Sequence, residues 1–383
     1  MPQADRIQFD FSDIDFSRWR ADRAYMEAII ERVARRRRVR LVRLQERRSA
    51  LGEAKKAIYR LSEAGSHPYT IRLRRRFVRL QTRRERDADP ERHPQRAGEH
   101  PGRLALDQRQ DIDTRPPMTR LVWREGWGLS LYLTAVFEAH CAAQAGRRID
   151  DRERPLATGP REPWKDPWSR LLGDPASSRN RRVHITRALH ELARHGLVEL
   201  GRPRTLHRFE GFKLLSDSGD ETAYTVPGDT RRALYLPPTF FLNGWHLVLE
   251  PREIVTWLML YELATYHTAR QDGVGVVEGE RWGWYGVTSE TYEAHHELAE
   301  FGLLQLNETM PDRRRGRLPL TGPRSRQAKQ RQSTAEATAA GAQQENQQRE
   351  AYRFFVKSDA FDRDAFDTVS SALRSVWPPR FIT

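Results

Sequence analysis

Few spacings in this chain bring together residue types that do chemistry, and most fail on geometry. His190, Glu191 and His195 assemble two imidazoles and a carboxylate, the raw material of a zinc-hydrolase helix. Zinc needs histidines at i and i+4 on one helix face, whereas an i+5 spacing turns the second ring roughly 140° away from the first. Gly273, Gly275 and Gly279 run one residue late for a dinucleotide loop, and there is no Gly-Lys dipeptide for a phosphate loop. No two histidines are separated by one residue, so Tyr285 and Tyr292 lack the metal site of a rolling-circle nickase. The single cysteine, Cys141, excludes an internal disulfide and a cysteine zinc site. The run Arg281-Trp282-Gly283-Trp284-Tyr285-Gly286 has rings that stack on bases, but aromatics just before a helix more often fill a small core. The expectation is therefore no catalytic residue, no metal, no cofactor and no enzyme.

The chemistry that remains is recognition of a polyanion. Lys+Arg number 66 against 52 Asp+Glu, a net charge of +14. Residues 18–86 hold 23 Lys/Arg and 7 Asp/Glu, so this segment carries +16 and the rest of the chain −2. Within it, Arg35, Arg36, Arg37 and Arg38, and then Arg74, Arg75 and Arg76, are read as phosphate contacts, an electrostatic term that is independent of base sequence.

Those arginines need elements to carry them. Residues 1–17 alternate acids with aromatics and read as an arm. Apolar residues at Met26, Ile30, Val33, Leu44, Leu51, Ala54, Ile58 and Leu61 recur at helical spacing without a proline. The break at Gly65-Ser66-His67-Pro68, followed by Leu73, Phe77 and Leu80, predicts a second helix. Residues 18–86 thus read as a basic helical hairpin, with a coiled-coil arm as the competitor. Five prolines and three Leu/Ile between 87 and 117 make a linker. A stretch from 308 to 350, rich in Gln, Ala and Arg, reads as a disordered insertion. The N-terminus lacks the basic-then-apolar pattern of a signal peptide, and Leu129 to Ala145 is too short, and too interrupted by Glu138 and His140, to span a bilayer. The expected location is the cytoplasm, at the nucleoid, with no membrane.

The most informative feature is a self-match. HELARHGLVEL at 190–200 recurs as HELAEFGLLQL at 296–306, with seven of eleven positions identical at an offset of 106 residues. In each copy an amphipathic helix stops at a glycine, Gly196 or Gly302, and an apolar strand follows at once. In the first copy a turn with Gly201, Pro203 and Gly211 leads back through Phe212 to Leu215. Helix, glycine stop, strand, basic turn and strand resemble the recognition helix and wing of the winged-helix family. In tandem they resemble plasmid replication initiators and some transcription regulators. The resemblance implies an α+β fold, mostly α with small β-wings: winged-helix domains at 118–230 and 231–383, preceded by the basic hairpin. It departs from the family in the 308–350 insertion, which falls where the second wing should be.

Aligning the copies separates their roles. Arg179, Asn180, Arg181, Arg182, His184 and Arg187 lie on or near the first helix, whose side opposite Ile185, Leu189 and Leu192 carries Asn180, His184, Arg187 and Glu191. Arginine pairs with guanine and asparagine with adenine in the major groove, and Arg202 and Arg204 at the turn suit backbone or minor-groove contact. In the second copy Glu290, Glu293, Glu297 and Glu300 occupy the helix, with no Lys or Arg from 289 to 302. That face repels phosphate. Together with Trp245, Trp257, Trp282 and Trp284, it predicts a homodimer or protein-partner surface on the second domain. The expected function is sequence-specific binding of double-stranded DNA by a transcription regulator. The alternatives are a replication initiator of a plasmid or mobile element, and an RNA-binding or scaffold protein acting through the basic hairpin.

Overall fold

A helix of 48 residues, α1 (Phe16–Glu63), forms the spine of the molecule. A computed structural model describes residues 16–81, 115–122, 126–148, 153–157, 166–176, 178–228, 232–266, 273–276, 278–307 and 353–375, with the side chains of α1 from residue 31 onward. Most of the expected arm (1–17) and linker (87–117), and all of the insertion (308–350) with Arg313, Arg314, Arg315 and Arg317, lie outside the described residues. Leu44, Leu51, Ala54, Ala57 and Ile58 form the buried stripe that holds α1 against the body. The helix ends where Gly65 meets the chain near Cys141. A Cβ at Gly65 would lie 2.3 Å from the Cys141 carbonyl oxygen, so only glycine permits this approach.

The second arm of the expected hairpin is not a helix. Residues Ile71–Arg74 form strand β1, followed by the single turn α2 (Arg75–Val78). β1 pairs antiparallel with β4 (Ala233–Leu236), in the register Ile71 with Leu236 and Leu73 with Leu234. The spacing of Leu73, Phe77 and Leu80 fits a helix, but Ile71 and Leu73 alternate with Arg72 and Arg74, and both apolar side chains are fully buried. The deciding partner is a strand some 160 residues away. The same ladder ties residues after 231 to the N-terminal segment, and the hydrophobic core runs without interruption from Leu44 to Leu373.

Around this spine the architecture is mostly helical with small antiparallel two-stranded sheets, an α+β fold. After α3 (Pro117–Arg120), the first copy of the repeat contains α4 (Gly128–Ala142), α5 (Trp168–Leu171), α6 (Ser178–Arg194), β2 (Val198–Glu199) and β3 (Lys213–Leu214). Two short helices, α7 (Thr239–Leu242) and α8 (Trp245–Val248), precede the second copy. That copy contains α9 (Pro251–Tyr266), α10 (Glu278–Tyr285), α11 (Ser289–Tyr292), α12 (His295–Glu300), β5 (Leu304–Leu306) and β6 (Phe354–Val356). A last helix, α13 (Ala365–Arg374), packs on α1.

The two copies share their order. In each, a bridge residue follows the first helix (Arg148 with Thr225; Val274 with Phe354), then helical segments (two in the first copy, three in the second, where α11 and α12 stand in place of α6), then a two-stranded ladder. Gly196 (φ 65°) and Gly302 (φ 74°) stop their helices in the left-handed region. The left-handed backbone itself is what favours glycine at both positions, since the atoms nearest an added Cβ, Glu221 Cγ at 2.8 Å and Arg363 Nη2 at 2.7 Å, belong to flexible side chains. Leu192 and Leu298, and Leu197 and Leu303, are equivalent at the 106-residue offset, and all four are fully buried.

The N-terminal segment, α1 with β1 and α2, joins the two copies through buried charge. Three carboxylates with no exposed surface, Glu253, Glu262 and Asp217, are each held by an arginine from residues 40–75. Arg40 donates through Nη2 to Glu253 Oε2 at 2.8 Å and through Nη1 to Oε1, and Glu253 also accepts from its own helix start at Glu250 N, 2.7 Å away. Desolvation works to lower the Arg40 pKa, but the charges of Glu253 and Glu250 overcome it, so the guanidinium stays charged. Arg75 pairs with Glu262, which also accepts from the Tyr285 hydroxyl at 2.5 Å. Arg74 donates to Asp217 through Nη1 and through its backbone N–H (2.6 Å).

Arg40→Ala is expected to lower unfolding stability by about 3–5 kcal/mol, because it strands the Glu253 carboxylate in the core. Arg35→Ala, at an exposed position on the same helix, is expected to stay within about 0.5 kcal/mol. Urea titrations of the two variants test the contrast, and equal midpoints would disprove the role given to Arg40.

Candidate nucleic-acid interface

In α6 the buried residues Ile185, Ala188, Leu189 and Leu192 face the core, and α4 and α5 pack on that side. Successive residues step about 100° around a helix. The arc opposite the core is therefore centred on Arg179, Val183, Arg187, His190 and Arg194, with Asn180 at its edge; Arg182 lies on the flank beside Leu189, and all seven are exposed. Arg179, Arg187 and Arg194 have no acid partner among the described residues. Val183 adds an apolar point between the arginines, the kind of group that meets a thymine methyl.

Three residues expected on this surface lie elsewhere. His184 is half-buried, its Nδ1 2.9 Å from Asp174 Oδ2, and that carboxylate is itself buried. Arg181 is also half-buried, because its place on the wheel falls beside Ile185 and Ala188 rather than opposite them. Glu191, read as part of the outward face, lies against Gly128, where an added Cβ would sit 2.9 Å from Glu191 Oε2. Val183, His190 and Arg194 were missed in the sequence. The signal that finds them is the helical wheel drawn from all four buried positions: it places the outward centre about 60–80° from the stripe Asn180, His184, Arg187, Glu191.

The loop between β2 and β3 stands beside this arc. Arg202, Pro203, Arg204, Thr205, Leu206 and His207 are all exposed. Glu210 on the loop takes a hydrogen bond from Arg182 Nη2 at 3.3 Å, and the Phe209 ring stands edge-on to His190 with centroids 5.3 Å apart. Helix and loop are thereby fixed to one another, and they present Arg179, Arg187, Arg194, Arg202 and Arg204 on one unit.

The two arginine runs chosen as phosphate contacts fare differently. Arg37 is buried; its Nη1 donates to Glu300 Oε2 at 2.5 Å and its Nη2 to the Ala372 carbonyl at 2.6 Å. Arg36 lies 3.4 Å from Glu250 and 3.8 Å from Glu297. Arg74 and Arg75 are committed to Asp217 and Glu262, and Arg75 also stacks over Tyr266 at 4.1 Å. Arg35, Arg38 and Arg76 face outward. The correction has one physical cause: a guanidinium satisfies a buried carboxylate bidentately as readily as it satisfies a phosphate, and composition does not distinguish the two.

The acidic helix of the second copy is likewise occupied. α11 and α12 break at Glu293-Ala294, and Glu297 pairs with Arg252 (2.7 Å) while Glu300 pairs with Arg37. Glu290 and Glu293 remain exposed. Trp245 and Trp257 have no exposed surface, Trp282 is buried, and Trp284 lies 4.6 Å beneath the Arg79 guanidinium. Trp245 and Trp257 belong to the core, Trp282 is buried and Trp284 is half-buried against the core, so little of the aromatic surplus expected to drive self-association is exposed.

Among the described residues no group of three His, Cys, Asp or Glu is placed to hold a metal ion, and no helix is long and apolar enough to cross a membrane. Comparison with protein-family models, curated proteins and solved structures gives no match to this chain.

Proposed function

We propose that this protein binds double-stranded DNA sequence-specifically, with α6 in the major groove and the 201–211 loop against the adjacent backbone. The observation that carries this reading is the outward arc of α6: three arginines without acid partners, flanked by Asn180, beside a loop carrying two more. On this view each copy of the repeat is a winged helix, whose second and third helices are α5 and α6 in the first copy and α10 and α11–α12 in the second. The shared element order, the glycine stops and the two-stranded ladders support it. The first copy reads DNA. The second, with its Glu297 and Glu300 neutralised by α1 and Arg252, serves as a rigid support.

The role is regulation of transcription. A replication initiator would use the same residues, and the arrangement of its targets, iterated repeats in an origin against single sites over promoters, separates the two. A reading in which the N-terminal arginines bind RNA loses support, because Arg37, Arg74 and Arg75 face acids inside the protein.

The test is enrichment of duplexes from a random pool by the full-length chain, followed by Arg187→Ala on the enriched site. That substitution is expected to weaken binding by about 1–3 kcal/mol and to relax preference at one or two adjacent base pairs. Unchanged affinity and unchanged preference would remove α6 from the groove.

A further inference from the structure

Leu206 is 86% exposed. A lone exposed leucine is common on protein surfaces and signifies little by itself. This one is held outward. Arg204 (φ 66°) and His207 (φ 59°) on either side of it occupy the left-handed region, which residues other than glycine enter at an energetic cost. The loop is closed by its own hydrogen bonds: Gly201 N–H to Arg208 O at 3.1 Å, Arg208 Nε to Gly201 O at 3.0 Å, Thr205 Oγ1 to Arg202 O at 2.7 Å and Gly211 N–H to His207 O at 3.1 Å. Its far end is anchored to α6 through Arg182–Glu210 and His190–Phe209. A strained, hydrogen-bonded turn that projects one apolar side chain is a rigid point on a rigid base.

The neighbours of that point define its occupant. Arg202 and Arg204 are exposed beside it and have no acid partner among the described residues, whereas Phe209 and Phe212 turn inward. One leucine is too small an apolar surface to dock a protein, for which interfaces bury tens of residues. Its size matches a single base step, and guanidiniums on the same turn match the phosphates that line a groove.

We propose that Leu206 is a wedge that enters the minor groove next to the segment read by α6 and partly unstacks one base step. The inference rests on the DNA-binding role proposed for α6 and extends it to a site of DNA deformation. It implies a preference for a flexible pyrimidine–purine step at a fixed offset from the α6 contacts, at a position where no hydrogen bond reads the base.

The test uses the full-length chain and the duplex it enriches, with a fluorescent adenine analogue, quenched by stacking, placed in turn at positions flanking the α6 site. Binding is expected to raise emission severalfold at one step. Leu206→Ala is expected to abolish that rise and to weaken binding about tenfold, the scale of burying one leucine side chain. Leu206→Phe is expected to keep the rise, and neither substitution should move the melting temperature. Emission that stays flat at every position overturns the wedge, as does a rise that survives in Leu206→Ala. Arg187→Ala is measured alongside: a loss there with none in Leu206→Ala refutes the wedge alone. If neither variant loses affinity, or no duplex is enriched, the DNA-binding reading fails with it.

Discussion

Residues 231–383 produced without the preceding 230 are expected to show no cooperative unfolding transition. β4 would lose β1, its one ladder partner among the described residues, and expose the backbone of Ala233–Leu236. Glu253 and Glu262, which have no exposed surface in the full chain, would lose Arg40 and Arg75. Each stranded carboxylate costs about 3–5 kcal/mol if it stays buried, and the two together approach the whole stability of a typical domain, about 5–15 kcal/mol. The fragment also gives up the packing of Leu51, Ala54, Ile58, Ile71, Leu73, Phe77 and Val78, all of which belong to the common core. Circular dichroism with thermal or urea unfolding checks this. A sharp transition in the fragment would show that the second copy folds independently of α1.

That expectation reverses the division that the sequence suggests, and the reason is instructive. Local signals were legible. The glycine stops at 196 and 302, the helix with Ile185, Leu189 and Leu192 inward, and the antiparallel strand after each glycine follow from spacing alone. The repeat made them more visible, since the same physics recurs at one offset. Long-range pairing was not legible. Nothing in the run from Ile71 to Arg74 names Ala233–Leu236 as its partner, and a four-residue strand carries too little pattern to outweigh a helical spacing. The arginine runs misled for a related reason. Density of charge marks where guanidiniums are, while their targets depend on where the fold buries carboxylates, and Asp217, Glu253 and Glu262 are distant in sequence from Arg74, Arg40 and Arg75. In α6 the helix itself was visible, but its outward centre shifted once Ala188 proved to be core, which moved His184 and Arg181 off the candidate surface and brought Val183, His190 and Arg194 onto it.

Replacing Arg179, Arg187, Arg194, Arg202 and Arg204 by Gln together is expected to reduce the slope of log Kobs against log salt by about 3–4 units, since each phosphate contact contributes roughly 0.9 and Arg187 is assigned to a base edge rather than a phosphate. At physiological salt this corresponds to a loss of at least about a hundredfold in affinity for the enriched duplex. The variant should remain folded, because all five side chains are exposed and none has an acid partner among the described residues. The companion variant, Arg35→Gln with Arg38→Gln, removes the outward arginines of the densest run in the chain, and it is expected to change the slope by well under about 1 unit, against about 2 units if both contacted phosphates. The comparison pits two accounts of the +16 carried by residues 18–86 against each other. If that segment is chiefly internal bracing, with Arg37, Arg40, Arg74 and Arg75 turned inward, the first copy of the repeat dominates the salt dependence. A larger slope change in the Arg35/Arg38 variant than in the five-arginine variant would return the phosphate contacts to α1 and leave α6 as a solvated basic helix.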